Sequence, residues 1–382
     1  MAISLLAARR GMNLVDKLRE VPWGMIALIV VIASYGLAIL FSAAGGSLDP
    51  WASRQMIRLA VGLMLMLLVA LIDLRFWFKV AYPIYALALL LLVGVEVAGE
   101  IGMGAQRWLD VGIVQLQPSE LMKIGLVLVL ARYFHGLTLE EVGHPLKLIW
   151  PTLLVMAPAA LVVKQPDLGT AMLLVLMSGV MFLLAGVRLW KFAIVIAAGL
   201  GAIPIAWNFL RDYQKNRVLT FLNPESDPLG AGYHIIQSKI ALGSGGVWGK
   251  GFLQGTQSRL QFLPERQTDF VFTMLSEELG IVGGLALIGL YAVVLLYGTA
   301  IALRSKSQFG RLVGMGVITT FFIYAFINIS MVMGLVPVVG VPLPLVSYGG
   351  TALLSLLIGF GFVLNVNIHR EVPIGRAGSD GI

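Results

Sequence analysis

The sequence of 382 residues contains no cysteine. That excludes disulfides, thiolate chemistry and cysteine-ligated zinc or iron–sulfur clusters. Histidine is nearly as scarce. His135, His144, His234 and His369 show no metal-binding spacing such as H-E-x-x-H. Charge is scarce too: 12% of residues are charged, 58% are hydrophobic, and the mean hydropathy is +0.90. A soluble domain carries about 25% charged residues. The composition therefore describes an integral membrane protein, and counting domains by length does not apply. Also missing is any basic run interleaved with aromatics. The net charge of +7 then points to anionic lipid headgroups, with no nucleic-acid partner. No cleavable signal is expected, because Arg9, Arg10, Lys17 and Arg19 follow a short apolar patch instead of preceding one. No internal repeat or low-complexity tract is evident.

What is present is a series of long apolar runs. A helix needs about 20 apolar residues to cross the hydrocarbon. Ten runs qualify as all-α transmembrane spans: 23–42, 57–72, 77–97, 119–134, 148–163, 170–186, 192–209, 280–303, 312–334 and 347–367. An even number places both termini on one side. The N-terminus, four loops and the tail on that side hold 15 of the 27 Lys and Arg. The opposite side holds 12, of which seven lie in the long 208–280 segment. Long loops count little in the positive-inside rule, so both termini are expected in the cytoplasm. The organisation expected is a cytoplasmic segment 1–22, a ten-helix membrane domain 23–367 and a cytoplasmic tail 368–382. The domain includes a large outer, periplasmic loop at about 208–280, and residues 231–242 within it have the apolar spacing of a short interfacial helix.

The expected outer side carries four unusual segments. QRWLDVGIVQLQPSELMKI, residues 106–124, places Pro118 and Glu120 where a helix N-terminus favours them. Lys123 does not suit that position. One reading is a Glu120–Lys123 pair that neutralises itself, since residues three apart share a helix face. The other is a cation held for an anionic substrate. Arg107 precedes the pair in a loop. KQPDLGTA, residues 164–171, offers Asp167 as an N-cap, which leaves Lys164 at the end of an apolar run without a structural reason. GSGGVWGKG, residues 243–251, fails the phosphate-loop pattern, because Ser244 stands where a glycine would begin it and Gly251 follows Lys250. It reads as a flexible backbone loop whose N–H groups remain free to approach an anion. Finally, in GTQSRLQFLPERQTDFVFTMLSEELG, Pro264 breaks the chain before a half-helix with Arg266 and Asp269 at i, i+3. An internal ion pair is one reading. A half-buried carboxylate serving as a base near neutral pH is the other. Charges at a membrane boundary are a functional-site hypothesis by default. Cations and carboxylates from four segments would suit a substrate with a lipid tail, a diphosphate and a hydroxyl-bearing head.

These blocks, together with GAGYHIIQSKIALGSGGVWGKG and GLVPVVGVPLPLVSYGG, carry a resemblance over roughly residues 20–370. The chain resembles the SEDS family of shape, elongation, division and sporulation proteins. GTQSRLQFLPERQTDF looks closer to its rod-shape branch than to its division branch. The resemblance implies a ten-helix fold and a peptidoglycan glycosyltransferase acting during cell elongation in the bacterial cytoplasmic (inner) membrane. Such a protein polymerises lipid II beside a class B penicillin-binding protein, other elongation-complex proteins and membrane lipids. It implies Asp269 as the essential aspartate, and Glu120, Lys123, Lys164 and Asp167 as charged cavity residues. Arg107, Lys239, Glu265 and Arg266 complete the substrate-binding candidates. Asp269 is expected to be the general base and undecaprenyl diphosphate the leaving group, with inversion at the anomeric carbon. Lys123, Lys164 and Arg107 are candidates to hold the diphosphate. No cofactor is required by the residues. Magnesium or manganese between carboxylate and diphosphate is compatible with them, although the sequence shows no metal cage. The proline-rich 335–350 segment must be buried or line a cavity, as a rigid re-entrant turn or as a wall of the groove. A flippase is the main rival reading, but it would place polar residues at mid-membrane between repeated halves. A non-catalytic scaffold of the elongation complex is the second rival.

Overall fold

The computed structural model describes residues 12–102, 105–110, 115–209, 212–226, 231–256 and 266–376. A short helix α1 (Leu14–Arg19) precedes the bundle. Each of the ten expected spans falls on a helix: α2 (Trp23–Ala43), α3 (Ala52–Leu71), α4 (Leu74–Ala98), α5 (Pro118–His135), α7 (Pro145–Lys164), α8 (Leu168–Ala185), α9 (Leu189–Phe209), α12 (Val271–Arg304), α13 (Gln308–Val332) and α14 (Thr351–Ile368). The remaining helices are a single turn, α6 (Leu139–Val142), and α10 (Asp212–Leu222) and α11 (Ala231–Ser244) in the long loop. Among the described residues, eight helices are long and apolar enough to cross a membrane. The two other spans are α5, which carries Glu120, Lys123 and Arg132, and α9, whose apolar stretch is Leu189–Ile205. The protein is thus a polytopic α-helical membrane protein.

The helices begin and end where local chemistry dictates. Pro118 occupies the first turn of α5, where its missing N–H costs nothing. Asp167 caps α8: its carboxylate accepts from Thr170 N at 3.2 Å and Thr170 Oγ1 at 2.9 Å. Gly186 ends α8 in the left-handed region with φ 107. On the expected cytoplasmic side, Thr138 and Glu141 form a reciprocal capping box on α6. Those bonds from Thr138 hold the Glu141 carboxyl below its ordinary pKa.

Lipid tails are as apolar as leucine, so burial alone does not drive these helices together. Close packing and interhelical hydrogen bonds do. α13 forms the axis, packing on α5, α8, α12 and α14. Gln55 of α3 donates to Ser347 O at 3.0 Å, Tyr85 of α4 to Leu154 O at 2.9 Å, and Gln165 to Leu92 O at 2.9 Å. Such bonds average about 0.6 kcal/mol in a membrane protein. Their larger effect here is to fix register. Asn365 of α14 donates to Val69 O at 3.2 Å, Ala70 O at 2.9 Å and Ile72 O, and so satisfies carbonyls at the C-terminus of α3.

Two features depart from the sequence reading. Residues 98–118 are not a plain loop. They contain β1 (Glu100–Gly102), β2 (Ala105–Asp110) and β3 (Gln115–Leu116) in one antiparallel sheet of order β1-β2-β3. Arg107 rides on β2. The second departure is the glycine loop, which reads as flexible but forms a splint. α12 is broken at Gly280, which has φ 68 and ψ −165. A break orphans ladder groups on both sides. The loop at 245–251 supplies their partners: Ile281 N bonds Gly246 O at 3.0 Å and Val282 N bonds Val247 O at 3.2 Å. In return, Lys250 N bonds Glu277 O and Gly251 N bonds Glu278 O, both at 3.0 Å. These two amides are therefore committed to the fold. A Cβ on Gly280 would lie 2.4 Å from both Gly249 N and Val247 O, so a glycine is required there for space as well as for φ.

Candidate active site

At the expected outer end, α5, α13, α14 and the 342–349 segment enclose a cavity. Glu120, Lys123, Tyr324, Ser355, Ser347 and Pro344 supply part of its wall. The expected pair is present: Lys123 Nζ lies 2.7 Å from Glu120 Oε1, and both side chains are more than nine-tenths buried. Lys123 also donates to the Tyr324 hydroxyl, and its ammonium sits 4.0 Å from the centre of that ring. Ser355 Oγ donates to Glu120 Oε2 at 2.7 Å. Each carboxylate oxygen thus has a donor, which a buried charge demands. Helix α5 carries Glu120 in its first turn and Lys123 just beyond it. α13 and α14 bring Tyr324 and Ser355 opposite.

Asp167 is close enough to act electrostatically on Lys123 and Tyr324. Arg107 reaches it from β2. Arg107 Nε lies 3.5 Å from Asp167 Oδ2, and Arg107 Nη2 donates to Pro166 O at 2.7 Å. Arg107 is 32% exposed against 8% for Asp167, so the cation is on the wet side of the pair.

Asp269 stands on the turn 266–270 that leads into α12. The 341–348 segment fixes this turn. Ser347 Oγ donates to Thr268 O at 2.5 Å, Tyr348 N to Gln267 O at 2.8 Å, and Asn328 Nδ2 to Asp269 O at 2.9 Å. Because Ser347 also lines the cavity, it links the Asp269 turn to the wall that carries Glu120 and Lys123. Arg266 lies over the Trp51 ring at 5.6 Å, and burial lowers its pKa from the ordinary arginine value.

The other candidates lie elsewhere. Lys164 pairs with Glu96 at 2.9 Å and is 71% exposed, so the structure does not bring it to the Glu120–Lys123 wall. Lys239 is exposed on α11, with its Cε against the Gly334 turn. Glu265 lies outside the described residues. Glu277, the carboxylate next in line, is buried in the splint and holds Lys250 Nζ at 2.7 Å. Among the described residues, no three His, Asp or Glu side chains form a group able to hold a metal ion.

Several site residues escaped the sequence reading. Tyr324, Asn328 and Ser355 are single polar residues in long apolar runs, and a polar residue inside a span is the signal that marks them. Arg58 is another. Its Nη1 is buried without a hydrogen-bond partner among the described residues, and its guanidinium stacks on Tyr348 at 4.7 Å.

Fold and site together define a many-helix membrane protein with a charged, partly proline-walled cavity at one end. The FtsW/RodA/SpoVE family, described as cell cycle protein, matches residues 20–372, and the chain belongs to it. The peptidoglycan glycosyltransferase MrdB of Escherichia coli (strain K12) is 47% identical over 356 residues, 91% of this chain and 94% of that protein. Stage V sporulation protein E of Bacillus subtilis is 34% identical over 359 residues, 91% of this chain and 97% of that protein. Among solved structures, a chain of a peptidoglycan synthase complex that coordinates polymerization and crosslinking superposes with TM-score 0.80. It has 34% identity and covers 92% of this chain and 98% of that one. The rod shape determining protein RodA of Thermus thermophilus superposes with TM-score 0.67 and 31% identity, over 92% and 97% of the two chains.

Proposed function

We propose that this protein is a peptidoglycan glycosyltransferase that polymerises lipid II at the outer face of the bacterial cytoplasmic membrane during elongation. Its termini are in the cytoplasm. Its partner is a class B penicillin-binding protein within an elongation complex. The observation that carries this reading is the physical linkage of Asp269, through Ser347, to the cavity wall bearing Glu120 and Lys123.

The chemistry assigns each group a task. The acceptor sugar hydroxyl attacks the anomeric carbon of the donor. Asp269 takes the hydroxyl proton as the new C–O bond forms. The bond from the anomeric carbon to the lipid diphosphate breaks, and its electron pair leaves with undecaprenyl diphosphate. Attack opposite the leaving group inverts the centre. Diphosphate departs without a strong general acid, so one base suffices. Lys123 and Arg107 are the cations placed to meet charge developing on the diphosphate. Glu120, Tyr324 and Ser355 hold Lys123 in its buried position, and Asp167 does the same for Arg107. Lys164, Lys239 and Arg266 lie apart from the Glu120–Lys123 pair, and any contact they make with substrate is outside the cavity wall. Magnesium or manganese is compatible with these steps. Among the described residues no cage exists to hold one, and a divalent ion would be carried by the diphosphate itself.

The test is polymerisation of lipid II by purified protein with its cognate transpeptidase, read as glycan strands per folded molecule. Wild type makes strands and Asp269→Asn makes none. Strands from both remove Asp269 from the mechanism. Strands from neither, with intact substrate and an active partner, favour a flippase or scaffold.

A further inference from the structure

Asn328 lies near the expected outer end of α13 and is fully buried. An amide within an apolar helix is costly unless its hydrogens are used. Both are. Asn328 Nδ2 donates to Asp269 O at 2.9 Å and to Val341 O at 2.6 Å. Among the described residues its Oδ1 has no hydrogen-bond partner. Turning the amide over would aim Oδ1 at two carbonyl oxygens, so the orientation is forced. One side chain therefore ties the backbone of Asp269 to Val341, the residue immediately before the cavity-wall segment. Ser347 makes a second tie one residue away, donating to Thr268 O and accepting from Leu343 N at 2.7 Å. Tyr348 N to Gln267 O makes a third. Three consecutive carbonyls, Gln267 to Asp269, are thus held by the wall and α13. The Asp269 carboxylate lies against the turn just before that segment: a Cβ on Gly340 would sit 3.4 Å from Asp269 Oδ2. None of the three bonds lies within helix α12, which begins at Val271. What the ties fix is the position of Asp269 relative to the cavity.

We propose that Asn328 is a positioning residue for the glycosyl transfer. It holds the Asp269 backbone, and so the carboxylate, at the depth where the acceptor hydroxyl is presented. This rests on the reading of Asp269 as the base. Misplacement of a catalytic group by about 1 Å costs on the order of 100-fold in rate. A role in rate and not in binding predicts that kcat falls while KM holds.

The experiment compares Asn328→Leu and Asn328→Asp with wild type. Lipid II polymerisation gives kcat and KM, and hydrogen exchange reports on segments 266–270 and 341–348. Leucine removes both donated hydrogens. Aspartate keeps the shape and, buried and protonated, retains one. The expected order of kcat is Asn, then Asp, then Leu, with leucine lower by about 100-fold and KM within twofold of wild type. Exchange rises in the two segments and not in the α3–α14 contact at the far end. Packing alone predicts the reverse order, because leucine suits an apolar core better than aspartate does. Wild-type kcat in Asn328→Leu overturns the proposal, as does a leucine variant more active than the aspartate one. Should Asn328→Leu fail to fold, Asn328→Asp alone carries the comparison, and an unchanged kcat there overturns it equally. Asp269→Asn measured alongside separates the two claims. If it retains activity, the base reading fails, while faster exchange in the Asn328 variants still reports the tie.

Discussion

Two lysine–glutamate contacts have the same length, 2.7 Å, and very different surroundings. Glu120–Lys123 lines a cavity. Its lysine is buried and leans on a tyrosine face, and the pair's partners Tyr324 and Ser355 come from two other helices. Lys250–Glu277 lies in the splint across the break in α12. There the lysine is 27% exposed, and Glu277 Oε1 also accepts Thr256 N and Thr256 Oγ1, both at 2.9 Å. The neighbouring Glu278 accepts from Ser42 of α2. In the first pair the cation is the costly member, and a cavity gives it something to do. In the second the carboxylate is the costly member, and its donors come from the loop it anchors. Distance alone does not separate a site from a strut. What each pair faces does.

The largest effect should come from the splint itself. Gly280→Ala forces a Cβ into Gly249 and Val247 at a positive φ. The expected outcome is little folded protein, checked by yield in detergent and by size-exclusion profile. Lys123→Ala comes next. It leaves Glu120 buried without its cation, which costs about 3–5 kcal/mol. Thermal denaturation should show a clear drop, and Lys123→Met, which fills the volume, should recover part of the stability but no polymerisation. Smaller again is Arg107→Ala. This half-wet ion pair contributes no more than about 1 kcal/mol to stability, so the melting temperature holds while KM for lipid II rises several-fold. Lys164→Ala, at the exposed pair with Glu96, should change neither.

The smallest effect is a pH dependence at the expected cytoplasmic end. His369 is buried with Nδ1 near Asn365 O at 3.0 Å, Asp73 and Lys17 act on it, and burial lowers its pKa from 6.5. Below pH 6.5 the unfolded chain takes up a proton that the folded one refuses. The contribution to stability is therefore whole above 6.5 and is lost as pH falls from there toward the folded value. His369→Gln should flatten that part of a stability–pH profile. An unchanged profile contradicts the assignment.

Much of this was legible before any coordinates. Long apolar runs fix helix positions because the bilayer leaves the backbone few alternatives. Pro118, Glu120 and Asp167 marked helix starts because capping is local chemistry. Lys123 stood out because a cation in the first turn of a helix opposes the dipole. What the sequence did not convey depended on non-local closure. The use of the 243–251 glycines required knowing that α12 breaks at Gly280, a break invisible in a continuous apolar run. The strand carrying Arg107 is paired with strands of three and two residues, too short to show alternation. Lys164 looked like a cavity cation because Glu96, its partner, sits on a helix distant in sequence. Asn328, Tyr324 and Ser355 are single letters whose meaning lies in what stands across from them.

The most direct test of the two-pair account is a matched pair of isosteric neutralisations, Glu120→Gln and Glu277→Gln, each measured for thermal stability and for glycan strands made per folded molecule. The account predicts that Glu120→Gln loses polymerisation far beyond its loss of stability, while Glu277→Gln loses stability and keeps its activity per folded molecule. If the two substitutions reduce activity and stability in the same proportion, the cavity pair is a strut like the other, and the assignment of this wall to the substrate is wrong.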